Sequence, residues 1–103
     1  MFKALIAGLA LCGVAGVAFA EPADGRKVAQ AQCAACHDVG AGAPARREGP
    51  SFVEIAKMPS TTELSLKVFL RSSHRNMPNL ILGADEVDAL AAYILELGGK
   101  GRS

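Results

Sequence analysis

The sequence predicts an all-α domain of about three main helices, and three observations carry that prediction. Val87, Leu90, Ala91 and Ile94 recur at i, i+3, i+4 and i+7, the spacing of one helix face. Ser60 followed by Glu63 reads as a capping box ahead of the apolar run Leu64, Leu66, Val68, Phe69 and Leu70. No stretch sustains the apolar–polar alternation of a half-buried strand, and no internal repeat is visible.

The chain of 103 residues divides unevenly. Met1–Ala20 has one early cation, Lys3, then an uncharged apolar run from Ala4 to Phe19, and closes on Ala18-Phe19-Ala20 before polarity switches at Glu21. That is the pattern of a secretory signal peptide with an A-x-A cleavage site. The alternative, a retained membrane anchor, needs roughly 20 apolar residues, more than this run supplies. Cys12 follows Leu11, where a lipoprotein signal wants a small residue, and is expected to leave with the leader. Residues 1–20 are therefore expected to be signal, and 21–103 one domain near the lower size limit for a stable core, exported to the periplasm with no stable membrane insertion after cleavage. Lys and Arg number 11 against 10 Asp and Glu, and Lys3 lies in the leader, so the domain is balanced in charge. Without a polybasic run or aromatic–basic interleaving, nucleic acid and anionic membrane surfaces are not the expected partner classes.

Within the domain, Asp24 can cap a first helix over 25–36, with Val28, Gln32 and Ala35 on its inner face. Segment 38–59 carries Gly40, Gly42, Pro44, Gly49, Pro50 and Pro59 around Arg46-Arg47 and reads as loop. The capping box starts a second helix over 61–72, which ends near Ser72-Ser73 ahead of Pro78. The last helix is the most regular, with Asp85 and Glu86 at its positive end and Gly98-Gly99 as its stop. Aromatic residues after the leader are only Phe52, Phe69 and Tyr93, so a large apolar object to fold around would help so small a core.

Cys33-Ala34-Ala35-Cys36-His37 supplies that object. C-x-x-C-H is a covalent haem-attachment signature: two thiols on one helix face bond the haem vinyl groups, and the following imidazole becomes an iron ligand. A thioredoxin-like pair would want a βαβ context and would leave His37 idle, a zinc site would want four ligands, and a plain disulfide across two residues is the remaining alternative. Three residues compete for the opposite face of the iron: Met77, stiffened by Pro78; Met58, also followed by a proline; and His74, which would make a bis-histidine haem. Core filling for Met58 and solvation for His74 are the plain alternatives.

The chain resembles class I single-haem cytochromes c from Asp24 to Leu97. Gly25 matches the family glycine that lets first and last helices cross, and Gly49-Pro50-Ser51-Phe52 is similar to the segment after the haem motif. Met77-Pro78-Asn79 resembles the axial-methionine loop, and Glu86-Val87 with Leu90-Ala91-Ala92-Tyr93 resembles the final helix. The resemblance implies a small cytochrome c fold, one haem c bonded through Cys33 and Cys36, iron between His37 and Met77, and the Pro50 carbonyl accepting from the His37 ring. Ala29 departs from it where an aromatic often packs on the last helix, and Gly83 where Ser or Thr usually caps that helix. Arg46 and Arg47 either neutralise haem propionates or are simply solvated.

Histidine plus methionine ligation leaves the iron no open position and raises its potential over bis-histidine ligation. The function this implies is one-electron carriage between larger redox proteins by a non-enzymatic monomer. A dedicated haem subunit of a dehydrogenase or oxidase complex, and a haem peroxidase or gas sensor, are the alternatives.

Overall fold

The computed structural model describes residues 21–72, Met77 and 81–100, and these are helical with no strand element among them: α1 Pro22–Gln32, α2 Phe52–Lys57, α3 Glu63–Leu70 and α4 Ala84–Leu97. The all-α expectation holds. Helix α4 is the axis of the molecule, and α1, α2 and α3 each pack against it. Val87 and every residue from Ala89 to Leu95 are buried, so the middle of α4 is enclosed, while its acidic residues Asp85, Glu86, Asp88 and Glu96 fall outside that buried set. Ala29, Cys33, Phe52, Ala56 and Leu66 bring the other elements into the same core.

Glycine sets the closest approach. A Cβ on Gly25 would fall on the Ala89 carbonyl and lie 2.7 Å from Tyr93 Cβ, so α1 and α4 cross with backbone in contact. Ala29, one turn on, is fully buried at the same crossing, where a larger side chain would push the helices apart. At the other end, a Cβ on Gly98 would meet the Ala56 oxygen at 2.7 Å, which seats α2 under the end of α4. Gly99 takes φ +70°, with Gly99 N–H donating to Glu96 O and Lys100 N–H to Leu95 O, a Schellman ending. Lys100 Nζ then donates to the Met58 and Thr61 carbonyls at 2.8 and 2.9 Å, tying the segment after α4 to the α2–α3 link.

Several sequence expectations are corrected. Helix α1 starts at Pro22, which suits a first helical position because it has no N–H to satisfy; Asp24 lies in the first turn and does not cap. The helix ends at Gln32, before the thiols. Its buried line is Gly25, Ala29 and Cys33, spaced by four, whereas Gln32 and Ala35 are exposed and Val28 is half-buried. The small residues face α4 because only they admit its backbone so closely. Segment 38–59 is not all loop: Ser51 caps α2, accepting from Glu54 N–H while the Glu54 carboxylate accepts from Ser51 N–H. The capping box of α3 is Thr62 with Ser65, not Ser60 with Glu63, and the helix spans 63–70 rather than 61–72. Ser60 contributes its carbonyl to Ser65 Oγ instead, and Glu63 pairs with Lys67 at 2.8 Å; Lys67 also reaches Asp88 at 3.2 Å, which holds α3 to α4. Gly83 does start α4, with Glu86 accepting from its N–H at 2.9 Å, half of a capping box.

Residues 1–20, and with them the leader and Cys12, lie outside the described residues, as do His74, Pro78 and Asn79. No helix of the described residues is long and apolar enough to cross a membrane.

Candidate functional site

The C-x-x-C-H segment is a turn at the end of α1. Cys33 N–H donates to Ala29 O at 2.8 Å and Ala34 N–H to the same oxygen at 3.0 Å, the widened bond that unwinds the helix. Cys36 and His37 N–H groups then both point to Cys33 O, at 3.2 and 3.0 Å. The two cysteines are thus held by a helix-like turn rather than on a helix face. Cys33 inherits the buried line of α1, and Cys36, past the end, is half-buried; both are free thiols. Burial pushes the Cys33 thiol up to about 11, the opposite of the depressed thiol of a disulfide oxidoreductase. Cys36 Sγ lies 3.7 Å from the Glu48 carboxylate.

His37 is fixed from three sides. Its Nδ1 lies 2.6 Å from the Pro50 carbonyl oxygen, which can only accept, so Nδ1 carries the proton and Nε2 is the ring nitrogen with a free lone pair. A Cβ on Gly49 would stand 2.5 Å from His37 Cε1 and 2.8 Å from Nδ1, so the loop backbone lies against the imidazole with no room for a side chain. The Phe52 ring packs at 5.4 Å, tilted 49°. The expected pairing of His37 with Pro50 is therefore present as a hydrogen bond.

The loop between them is pinned from outside. Gly49 N–H donates to Cys36 O at 2.7 Å, and Phe52 N–H to Asp38 O at 2.9 Å. Asp38 accepts from Gly40 N–H at 3.0 Å and Ala45 N–H at 2.6 Å, and these bonds, with Arg47 adding a smaller pull, hold its carboxyl below the ordinary carboxylate range. Tyr93 O–H donates to the Val39 carbonyl from the buried face of α4. Asp38, Glu48 and the Val39 carbonyl escaped sequence reasoning. Asp38 followed two residues later by glycine is the one local signal, that of an Asx turn.

Met77 is half-buried on the chain between α3 and α4. Met58, by contrast, is exposed at the end of α2 and is not core filling. Arg46 and Arg47 are exposed on the loop. Among the described residues no three His, Cys, Asp or Glu side chains are grouped to hold a metal ion.

The donor set fits a haem. It offers two thiols separated by one turn, an imidazole with Nδ1 engaged and Nε2 free, and a glycine that keeps the ring uncrowded. Large apolar side chains are also left in the open: Leu64 at 73%, Val68 at 57%, Ile81 at 97% and Met58 at 45% exposure. In comparison with known proteins, a family model described as cytochrome c oxidase, cbb3-type, subunit III matches residues 20–94. No curated protein and no solved structure matches the chain.

Proposed function

The chain belongs to the c-type cytochrome family of cbb3-type oxidase subunit III, and on that premise we propose that it is a periplasmic one-electron carrier with a single covalent haem between His37 and Met77. Membership of the family makes haem-based electron transfer between redox proteins its general role. The observation that carries the finer reading is the Pro50–His37 hydrogen bond at the end of the Cys33/Cys36 motif. It fixes the ring, sets the tautomer and raises the donor strength of Nε2. Bound there, the haem supplies reversible ferric–ferrous chemistry. Cys33 and Cys36 would retain it, His37 would hold the iron, and Met77 would be the ligand that keeps oxygen and peroxide off the iron. Apolar side chains exposed on α3 and after Met77, such as Leu64, Val68 and Ile81, would be available to shield it from water. Export to the periplasm rests on the leader pattern of residues 1–20.

Acid–acetone extraction of the purified protein tests attachment. The haem stays with the polypeptide in wild type, assembly weakens in Cys36→Ser and is lost in Cys33→Ser/Cys36→Ser. Free haem extracted from wild type would refute the reading. A second reading, a haem subunit docked in an oxidase, is favoured by the description of the matching family. Co-purification with a membrane complex from the native host, rather than recovery as a free monomer, would support it.

A further inference from the structure

We propose that Asp38 is a positioning residue for the proximal imidazole: its carboxylate folds residues 39–45 into a fixed turn and thereby holds the Pro50 carbonyl on His37 Nδ1. The inference rests on the haem reading above. Residues 40–48 are all exposed, and most are glycine or alanine, so the loop buries little that would order it. The Asp38 carboxylate uses both oxygens inside the loop, one on Gly40 N–H and one on Ala45 N–H. That fixes how the chain leaves Asp38, and therefore the direction of the Asp38–Val39 peptide. The carbonyl of that peptide accepts from Phe52 N–H at 2.9 Å, two residues past Pro50. The next carbonyl, Val39 O, accepts from Tyr93, which anchors the turn to α4.

One side chain thus sets the peptide that carries the far end of the Gly49–Phe52 segment. Without it the loop swings between its two closure points, and the 2.6 Å bond from His37 to Pro50 is made for less of the time. A weaker bond at Nδ1 lowers the donor strength of Nε2, which favours ferrous over ferric iron and moves the potential upward.

The test uses holoprotein throughout. Wild type is first shown to hold covalent haem; its absence there would defeat the haem reading and not this one. Exchange of the His37 Nδ1–H by NMR, the midpoint potential and global unfolding are then compared for wild type, Asp38→Ala and Asp38→Asn. Asp38→Ala is expected to speed Nδ1–H exchange about tenfold, the ratio that about 1.4 kcal/mol produces, and to raise the potential. Asp38→Asn, which keeps one carboxyl-like oxygen, recovers part of both. Ala45→Pro deletes one donor with Asp38 intact and shifts both readouts the same way, which keeps the test open if Asp38→Ala fails to take up haem. Unchanged exchange and potential in these variants would overturn the proposal. So would exchange at His37 that rises only by the factor seen for the buried amides of α4, which is a stability effect alone.

Discussion

The imidazole of His37 owes its setting to a backbone with no side chain in the way. Gly49→Ala puts a Cβ 2.5 Å from His37 Cε1, so the ring or the loop must move. Strain of this kind costs about 1–3 kcal/mol. The expected result is a holoprotein with a lower melting temperature and a weakened Pro50 bond; an unchanged melt and an unchanged His37 Nδ1–H resonance would contradict it. Tyr93 works at the same scale from the other side. Burial above all, with Glu96 and Asp38 adding and Arg26 opposing, raises its phenol above the ordinary value. A folded-state value above the unfolded one contributes stability that is complete below about pH 10 and is lost as pH rises through the higher folded value. Urea unfolding across pH 8–12 should therefore show an alkaline decline that Tyr93→Phe makes shallower; equal slopes in both proteins would remove Tyr93 from the account. Asp38, Glu48 and Val39 act through carboxylate and backbone contacts that close only in the folded chain, which is why spacing did not reveal them.

Helices here are positioned by small residues where they cross and by caps where they end. Gly25→Ala drives a methyl into the Ala89 carbonyl and Tyr93, and Leu90→Ala empties a fully buried site at the centre of α4. The first is expected to destabilise by at least about 1–3 kcal/mol, the second by about 2–5 kcal/mol. Chemical denaturation of the holoproteins measures both, and a cost near zero at Gly25 would mean that α1 and α4 do not cross in contact. Helix α4 was legible because its 3.6-residue period is unbroken from Val87 to Ile94 and both ends carry glycine. Helix α2 was not: the glycines and prolines of 40–50 masked the Ser51-x-x-Glu54 box that starts it. Ser60-x-x-Glu63 looked like the cap of α3, but Thr62-x-x-Ser65 lies two residues on and makes both reciprocal bonds. The C-x-x-C-H spacing identified the chemistry, yet not that α1 unwinds at Ala34. The thiols therefore sit in a turn, with Cys33 on the line of Gly25 and Ala29 that faces α4.

At the scale of the whole molecule, a small helical core leaves Leu64, Val68 and Ile81 facing water unless something covers them. A haem held by Cys33, Cys36 and His37 would supply apolar surface for so small a core to fold against. Its binding free energy is then part of the folding free energy. Chain produced without haem is expected to be largely unfolded, and native helix content by circular dichroism in that apo-chain would contradict this. The sequence announced the haem and the helical class, but not the path of the loop around His37, because that path depends on contacts between residues distant along the chain. The far-red optical spectrum of the ferric holoprotein with and without Met77 is the most direct measurement of how the iron is held. Wild type is expected to show the weak sulfur-to-iron band and to resist carbon monoxide when reduced; Met77→Ala should lose the band and bind the gas, while Met58→Ala and His74→Ala keep the band. A wild-type protein that lacks the band and binds carbon monoxide readily would contradict the carrier reading and place an open iron site in its stead.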